Sequence, residues 1–350
     1  MNKSIVRDSN FELLRIITMF MIVILHIGSH GIQKQLNVTT EISELSEIVY
    51  YFIRSLSIVA VNLYVLISAY FLINNKAVNF KKVSRLFMET SFFCTVVYLT
   101  LLALDLATFD LTALKESIIA IIYGEYWFVT VYFVLFIFSP YINKVLDVLG
   151  EKEHKKLIVI LFFICCVWQF FYNNALLGVS NGYGITYFVF LYVVGNYVRK
   201  YHKLFGEIKP KIYLGGYLLL GVINSFLIYR ESMIQGDINK WLDYCSPIVF
   251  LMSYFLFQYF KSLKIKSIKI NTISAAVFGI YLVHEQPFMR HYLWNNSGII
   301  SEIIAVDGIY FIVYMLLYCV ALFICFWIIS FLIGKVFNLL YNVIEKKLVK

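Results

Sequence analysis

Arg15 and His26 stand in the same apolar stretch, about 16 Å apart at the 1.5 Å rise per residue of an α-helix. Further along, Arg54 lies within a second apolar stretch and Glu89 within a third, Glu125 and Trp127 open a fourth, and His284 and Glu285 end a late one. An ionisable side chain at bilayer depth costs at least about 2.5 kcal/mol, so each one kept there is a candidate for chemistry. A neutral imidazole is matched to taking a proton from a weak nucleophile near pH 7, and a nearby carboxylate can fix which ring nitrogen carries the hydrogen. His26 is therefore the candidate general base, with Glu125 or Glu285 orienting it and His284 as a second histidine at the same depth. A guanidinium offers a planar fork suited to phosphate or carbonyl oxygen, which makes Arg15 a candidate for holding an activated substrate.

The elements that must position these groups follow from composition. Of 350 residues, 61% are apolar and 15% charged, whereas a soluble domain carries about 25% charged residues. That excludes a soluble globule and an intrinsically disordered chain. The apolar residues form unbroken stretches rather than the alternating segments of a membrane barrel. The fold class is all-α, a polytopic membrane bundle forming one domain over residues 1–350. The pattern predicts about ten spans, near 11–28, 47–74, 86–107, 126–146, 157–173, 184–198, 212–229, 245–260, 271–293 and 303–333.

The formal charge of +9 would point to nucleic acid in a soluble protein, but its distribution gives another reason. Alternate connections hold 23 of the 30 lysines and arginines, in clusters that include Lys3 and Arg7, Lys76 to Arg85, Lys144 to Lys156, Arg199 to Lys211, Lys261 to Lys269, and Lys335 to Lys350. The positive-inside rule then places both termini in the cytoplasm and leaves no nucleic-acid partner to explain. Under this topology His26, Arg54, Glu125, Trp127, His284 and Glu285 share the outer side. Arg15, Ser68, Tyr70, Lys82 and Arg85 share the inner side. The lipid bilayer is the one partner that composition requires. The basic segment ahead of the first stretch lacks a following cleavage site, so that stretch reads as a retained span.

Plainer readings accompany each candidate. Glu12 stands three residues before Arg15, close enough for a local ion pair. Histidines 26 and 30 lack a carboxylate or cysteine on the same helical face, so no metal site is expected. Trp127 suits an interfacial aromatic belt, and the run from Lys81 to Arg85 suits a topology signal. The six cysteines fall within apolar stretches with no metal or redox spacing. Pro140 and Pro287 fall inside predicted spans, where a neighbour must satisfy the freed carbonyl.

The segment from Asn10 to Ile17, running on to Val23-Ile24-Leu25-His26, resembles the first span of the acyltransferase 3 family, whose signature there is an arginine followed by ten residues and a histidine. Tyr64 to Phe71 resembles the family's serine-glycine-tyrosine segment, with Ala69 in place of the usual glycine. Lys81 to Arg85 resembles the basic stretch that follows, Tyr126-Trp127-Phe128-Val129 a tryptophan-phenylalanine helix start, and Tyr281-Leu282-Val283-His284 the tyrosine-leucine-x-histidine of the penultimate span. The resemblance covers about residues 10–333. It implies transfer of an acyl group, usually acetyl from acetyl-CoA, to a hydroxyl of a cell-envelope glycan or lipid-linked saccharide at a bacterial cytoplasmic membrane.

Carried over, the resemblance links Arg15 to the acyl-CoA donor and His26 to the chemistry. The donor side would comprise Arg15, Ser68, Tyr70, Lys82 and Arg85, and the acceptor side Arg54, Trp127 and Glu285. Acetyl-CoA enters as a co-substrate, and no permanently bound cofactor or metal is expected. The departure at Ala69 removes a residue that lets helix backbones approach closely. A transporter or flippase of lipid-linked oligosaccharide would use the same buried charges for substrate and protons. A glycan polymerase would call for a large arginine-rich outer loop, and the connections here are modest and near neutral.

Overall fold

The computed structural model describes residues 9–36, 43–173, 175–205, 208–296, 298–306 and 308–348. Lys3, Arg7 and Lys350 lie outside them. Among the described residues the chain is helical throughout, with no strand. The principal helices are α1 (Ser9–Ile32), α2 (Glu44–Leu72), α3 (Phe80–Ala103), α4 (Trp127–Val148), α5 (Glu151–Tyr172), α6 (Ile185–Tyr201), α7 (Pro210–Met233), α8 (Pro247–Ser262), α9 (Ile268–His284) and α10 (Ile309–Lys347). Seven of them, α1 to α5, α7 and α10, are long and apolar enough to cross a membrane; α6, α8 and α9 are shorter and packed within the bundle.

Local chemistry sets several helix ends. The Asn79 side chain caps α3 by accepting from the Lys82 amide, Ser267 caps α9, and proline stands in the first turn of α7 and α8, where its missing N–H costs nothing. Within α4 the ring of Pro140 frees the Phe136 carbonyl, and the Ser139 hydroxyl donates to that oxygen at 2.8 Å. The expectation for Pro287 needs correction. The helix of the ninth apolar stretch ends at His284, and Pro287 opens a new short helix, Pro287–His291, whose cap is Gln286. Proline at a first turn needs no compensating donor, which is why the chain turns there instead of crossing onward.

Helices α1, α2, α6, α8 and α9 form the interior, and α10 lies largely exposed at the periphery, as its all-round apolar surface allows in lipid. Helix α6 packs along the second half of α2. There a Cβ on Gly195 would stand 2.5 Å from the Ala69 Cβ and 3.0 Å from the Leu66 carbonyl. The close approach that a glycine at position 69 would permit is supplied from the facing helix.

The connections sort to two ends. At the Arg15 end, Lys76 pairs with Asp147, Lys200 donates to the Leu146 carbonyl, Lys81 pairs with Glu345, and the Ser9 amide donates to Ile265. All these belong to the basic set. Asn143 closes the same end by donating to the Leu72 and Asn75 carbonyls. The near-neutral connections around Tyr183 and Asp243 meet at the His26 end.

Candidate active site

His26 ends the regular part of α1, and the next residues, Ile27–Ile32, continue as a π-helix. Such widened turns are rare and cluster at functional positions. This one is pinned by the Tyr50 hydroxyl, which donates to the Gly28 carbonyl at 3.1 Å, and by the Ser29 hydroxyl on the Leu25 carbonyl. Helix α9 arrives from the other side, anchored by the Tyr126 hydroxyl on the Leu282 carbonyl at 2.7 Å. The two histidines meet between them, His26 Nδ1 lying 2.8 Å from His284 Nε2.

Hydrogen-bond chemistry fixes the proton positions of this pair. His284 Nδ1 lies 2.7 Å from the Ile280 carbonyl, which only accepts, so Nδ1 carries the hydrogen. The Nε2 of a neutral His284 is then an acceptor, and His26 must donate from Nδ1. A neutral His26 is left with its lone pair on Nε2, which has no hydrogen-bond partner among the described residues, and His26 lines the adjoining cavity. A chain of two imidazoles ending on a backbone carbonyl thus selects the tautomer of His26 that can accept a proton.

Glu285 supplies charge beside this chain. Its Oε1 lies 3.1 Å from His26 Nδ1 and 3.8 Å from His30 Nε2 and receives no hydrogen bond from the described residues; Oε2 takes the Arg290 guanidinium at 3.4 Å. The carboxylate is buried. It can stabilise an imidazolium at His26 without taking its proton. The donor atoms of His26, His284 and Glu285 all fall within 4.8 Å of one another, a set that could also ligate a metal. Two nitrogens at about 2.0–2.1 Å from one tetrahedral zinc stand roughly 3.3 Å apart, so the 2.8 Å separation fits a shared proton better.

The cavity has a volume of about 480 Å³ and is lined by His26, His30, Arg54, Trp127, Glu285 and Arg290, among others. Arg54 donates to Gln33 at 2.9 Å and lies over the Tyr50 ring. Asn181, Tyr183, Asn239, Asp243 and Tyr244 reach the cavity from the connections. Burial, and secondly Asp237, push the Asp243 carboxyl from its ordinary 3.8 up to about 7. These connection residues were not anticipated from sequence, since nothing local distinguishes them from other polar loop residues. Glu125 is half-buried ahead of α4, outside the cavity lining and without contact to His26. The carboxylate beside His26 is Glu285.

The inner candidates are less gathered than expected. Arg15 Nη1 lies 2.6 Å from Glu12 Oε1, and Glu12 Oε2 accepts from Ser274, so the local ion pair forms. Ser68 meets the Tyr132 hydroxyl nearby, with Arg15 close enough to act on that hydroxyl. Tyr70 accepts from Arg199 at 2.8 Å. Arg85 is tied to α10 through Asn338, with its guanidinium over Tyr341, and Lys82 is exposed. No contact among the described residues joins Lys82 or Arg85 to Arg15. Between Arg15 and His26 runs a series of rings: Tyr64, whose hydroxyl donates to the Arg15 carbonyl, then Phe128, Tyr281 and His26, with centroids 6.1–6.4 Å apart.

Searches of curated proteins and of solved structures find no match to this chain. Its sequence does match the acyltransferase domain family over residues 8–331, which takes in both histidines, both ends of the bundle and the cavity between. The chain belongs to the acyltransferase 3 family of membrane acyltransferases.

Proposed function

We propose that the protein transfers acetyl from acetyl-CoA to a hydroxyl of a cell-envelope glycan or lipid-linked saccharide, with His26 as general base. The observation that carries this reading is the His26–His284–Ile280 chain, which leaves the lone pair of a neutral His26 on Nε2, in a residue that lines a polar cavity. The acceptor hydroxyl gives its proton to Nε2 as its oxygen attacks the thioester carbon. The tetrahedral intermediate collapses with loss of the C–S bond, and the imidazolium returns the proton to the departing sulfur. The products are an O-acetyl ester and free CoA, and His26 is regenerated neutral. Glu285, at 3.1 Å, offsets the positive charge that His26 carries between the two transfers.

CoA is assigned to the Arg15 end, with Arg15, Ser68, Tyr70, Lys82 and Arg85 as donor-side residues and the cytoplasm as its source. The ring-lined stretch along α1 would take the extended pantetheine arm, so that acetyl reaches an outer acceptor while CoA stays inside. Arg54, Trp127 and Glu285 belong to the acceptor side.

The test is transfer of labelled acetyl from acetyl-CoA to envelope glycan in membranes containing the protein. His26→Gln should lower the rate by about 10²-fold or more, the lower range of acid–base catalysis, and leave acetyl-CoA binding intact. Full acetylation by His26→Gln would remove His26 from the mechanism. Absence of any acetylated product with the wild-type protein, together with pH-dependent uptake of a saccharide, would replace the enzyme by a transporter.

A further inference from the structure

Helix α9 is interrupted on its way to the histidine pair. It runs from Ile268 to Ser274 and resumes from Val277 to His284, with Ala275 and Ala276 as the joint. Neither proline nor glycine stands there, and alanine is the strongest helix former, so the local sequence does not demand a break. An interrupted helix persists at membrane depth where its neighbours satisfy the backbone, and α10 does so here. Trp327 Nε1 donates to the Ile273 carbonyl at 3.0 Å, and three residues further along α10 the Ser330 hydroxyl donates to the Ala276 carbonyl at 2.6 Å. The Ser274 hydroxyl turns to α1 instead, donating to Glu12 at 2.6 Å. The joint thus lets the inward piece of α9 follow α1 while the outward piece follows α10.

The outward piece carries His284. Ser330 is buried, and it is the one serine, threonine, asparagine or glutamine in the apolar stretch from Ile309 to Gly334. Its reach depends on Gly279, where a Cβ would overlap the Ser330 Oγ and stand 2.8 Å from Phe93 Cε1. Four residues before Ser330, on the same face of α10, the Phe326 ring lies along His284, with centroids 6.2 Å apart and planes 26° from parallel. One face of α10 therefore holds the outward piece by a carbonyl at its start and an imidazole at its end. The separation it serves is the 2.8 Å between His26 Nδ1 and His284 Nε2. A shift of about 1 Å takes such a pair beyond hydrogen-bond reach.

We propose that Ser330 is a positioning residue for the histidine pair: through the Ala276 carbonyl it holds Val277–His284 where His284 accepts from His26, and Trp327 supports it from the other side of the joint. The effect of Ser330 on rate rests on the acyl-transfer reading. Its effect on the histidine contact does not, because that contact needs no substrate.

The experiment pairs two readouts on the full-length protein in lipid bilayers. Solid-state NMR of histidine labelled with nitrogen-15 reads the correlation between His26 Nδ1 and His284 Nε2 across their shared proton, assigned with His284→Gln. Labelled acetyl transfer gives kcat and the KM for acetyl-CoA. Ser330→Ala should remove the correlation and lower kcat by about 10-fold, as a small misplacement of a catalytic pair does, with the acetyl-CoA KM and the folding transition unchanged. Trp327→Phe, which keeps a ring and removes the donor, should lower kcat by about threefold. Thr272→Ala, which removes a hydroxyl bonded to the Ile268 carbonyl on the inward piece, should alter neither readout. An unchanged correlation in Ser330→Ala, a wild-type kcat in that variant, or an equal loss in Thr272→Ala would each overturn the positioning role. A wild type that transfers no acetyl but shows a correlation that Ser330→Ala removes keeps the positioning role and loses the acyl-transfer reading. A wild type and a Ser330→Ala that transfer acetyl equally well do the reverse.

Discussion

Glu285→Gln isolates the electrostatic part of the site, because it keeps shape and some polarity while removing the one carboxylate beside His26. When His26 takes the acceptor proton, its positive charge stands 3.1 Å from Glu285 Oε1 in the closest geometry. With an effective dielectric of about 20, that attraction is about 5 kcal/mol. The glutamine dipole and an outward turn of Arg290, freed from its partner, should recover about half of it. The net loss of about 2–3 kcal/mol at the transition state corresponds to a fall of about 30- to 150-fold in kcat. The requirement for acetyl-CoA should barely change, since the donor assignment lies at the other end of α1. Initial rates of labelled acetyl transfer in proteoliposomes, with melting temperature as a folding control, give the answer. A kcat within threefold of wild type in a normally folded Glu285→Gln would refute the argument that this carboxylate supports an imidazolium at His26.

Four further outcomes are expected. Arg15→Ala should nearly abolish transfer and Arg15→Lys should raise the acetyl-CoA requirement, as loss of the planar fork demands; wild-type rates in a normally expressed Arg15→Ala would leave only the Glu12 ion pair as its role. Gly195→Ala should lower the melting temperature by the equivalent of about 1–3 kcal/mol, because its Cβ would collide with Ala69, and Ala69→Gly in the same chain should restore part of the loss. The folded protein holds a proton on Asp243 up to about pH 7, well above the unfolded value near 3.8, so this group's contribution to stability declines as pH rises from about 4 to 7 and stays lost above that. Asp243→Asn should therefore melt higher than wild type at pH 8 and equally at pH 4. For topology, a membrane-impermeant thiol reagent added outside should label Gln235→Cys and spare Lys266→Cys; equal labelling would remove the two-sided arrangement of donor and acceptor.

Much of this protein is written along the chain. Continuous apolar stretches force helices because lipid offers the backbone no hydrogen bonds, and the alternation of basic and near-neutral connections anticipates the two ends to which the structure sorts them. The spacing of Arg15 and His26 on one helix needs no tertiary information, since a helix converts sequence separation into distance. The break at Pro287 was hidden because apolar composition continues across it, while the change of direction depends on the local capping by Gln286.

Tertiary structure alone decided the rest. Whether Glu125 or Glu285 would stand beside His26 depended on where a loop and a helix end fall in space, and it is Glu285. The tautomer of His26 is set by Ile280, a residue whose side chain carries no chemistry, because its carbonyl fixes the proton on His284. Lys82 and Arg85, one turn apart on α3, are read from sequence as partners of Arg15, yet Arg85 is bound by α10, which follows them by some 250 residues. Asp243 and its aromatic neighbours look like ordinary loop residues until connections distant in sequence close over the end of α1. A one-dimensional pattern records what each residue prefers as solvent, and so it specifies helices. It does not record which helix ends converge, and the chemistry of this site is made of those convergences.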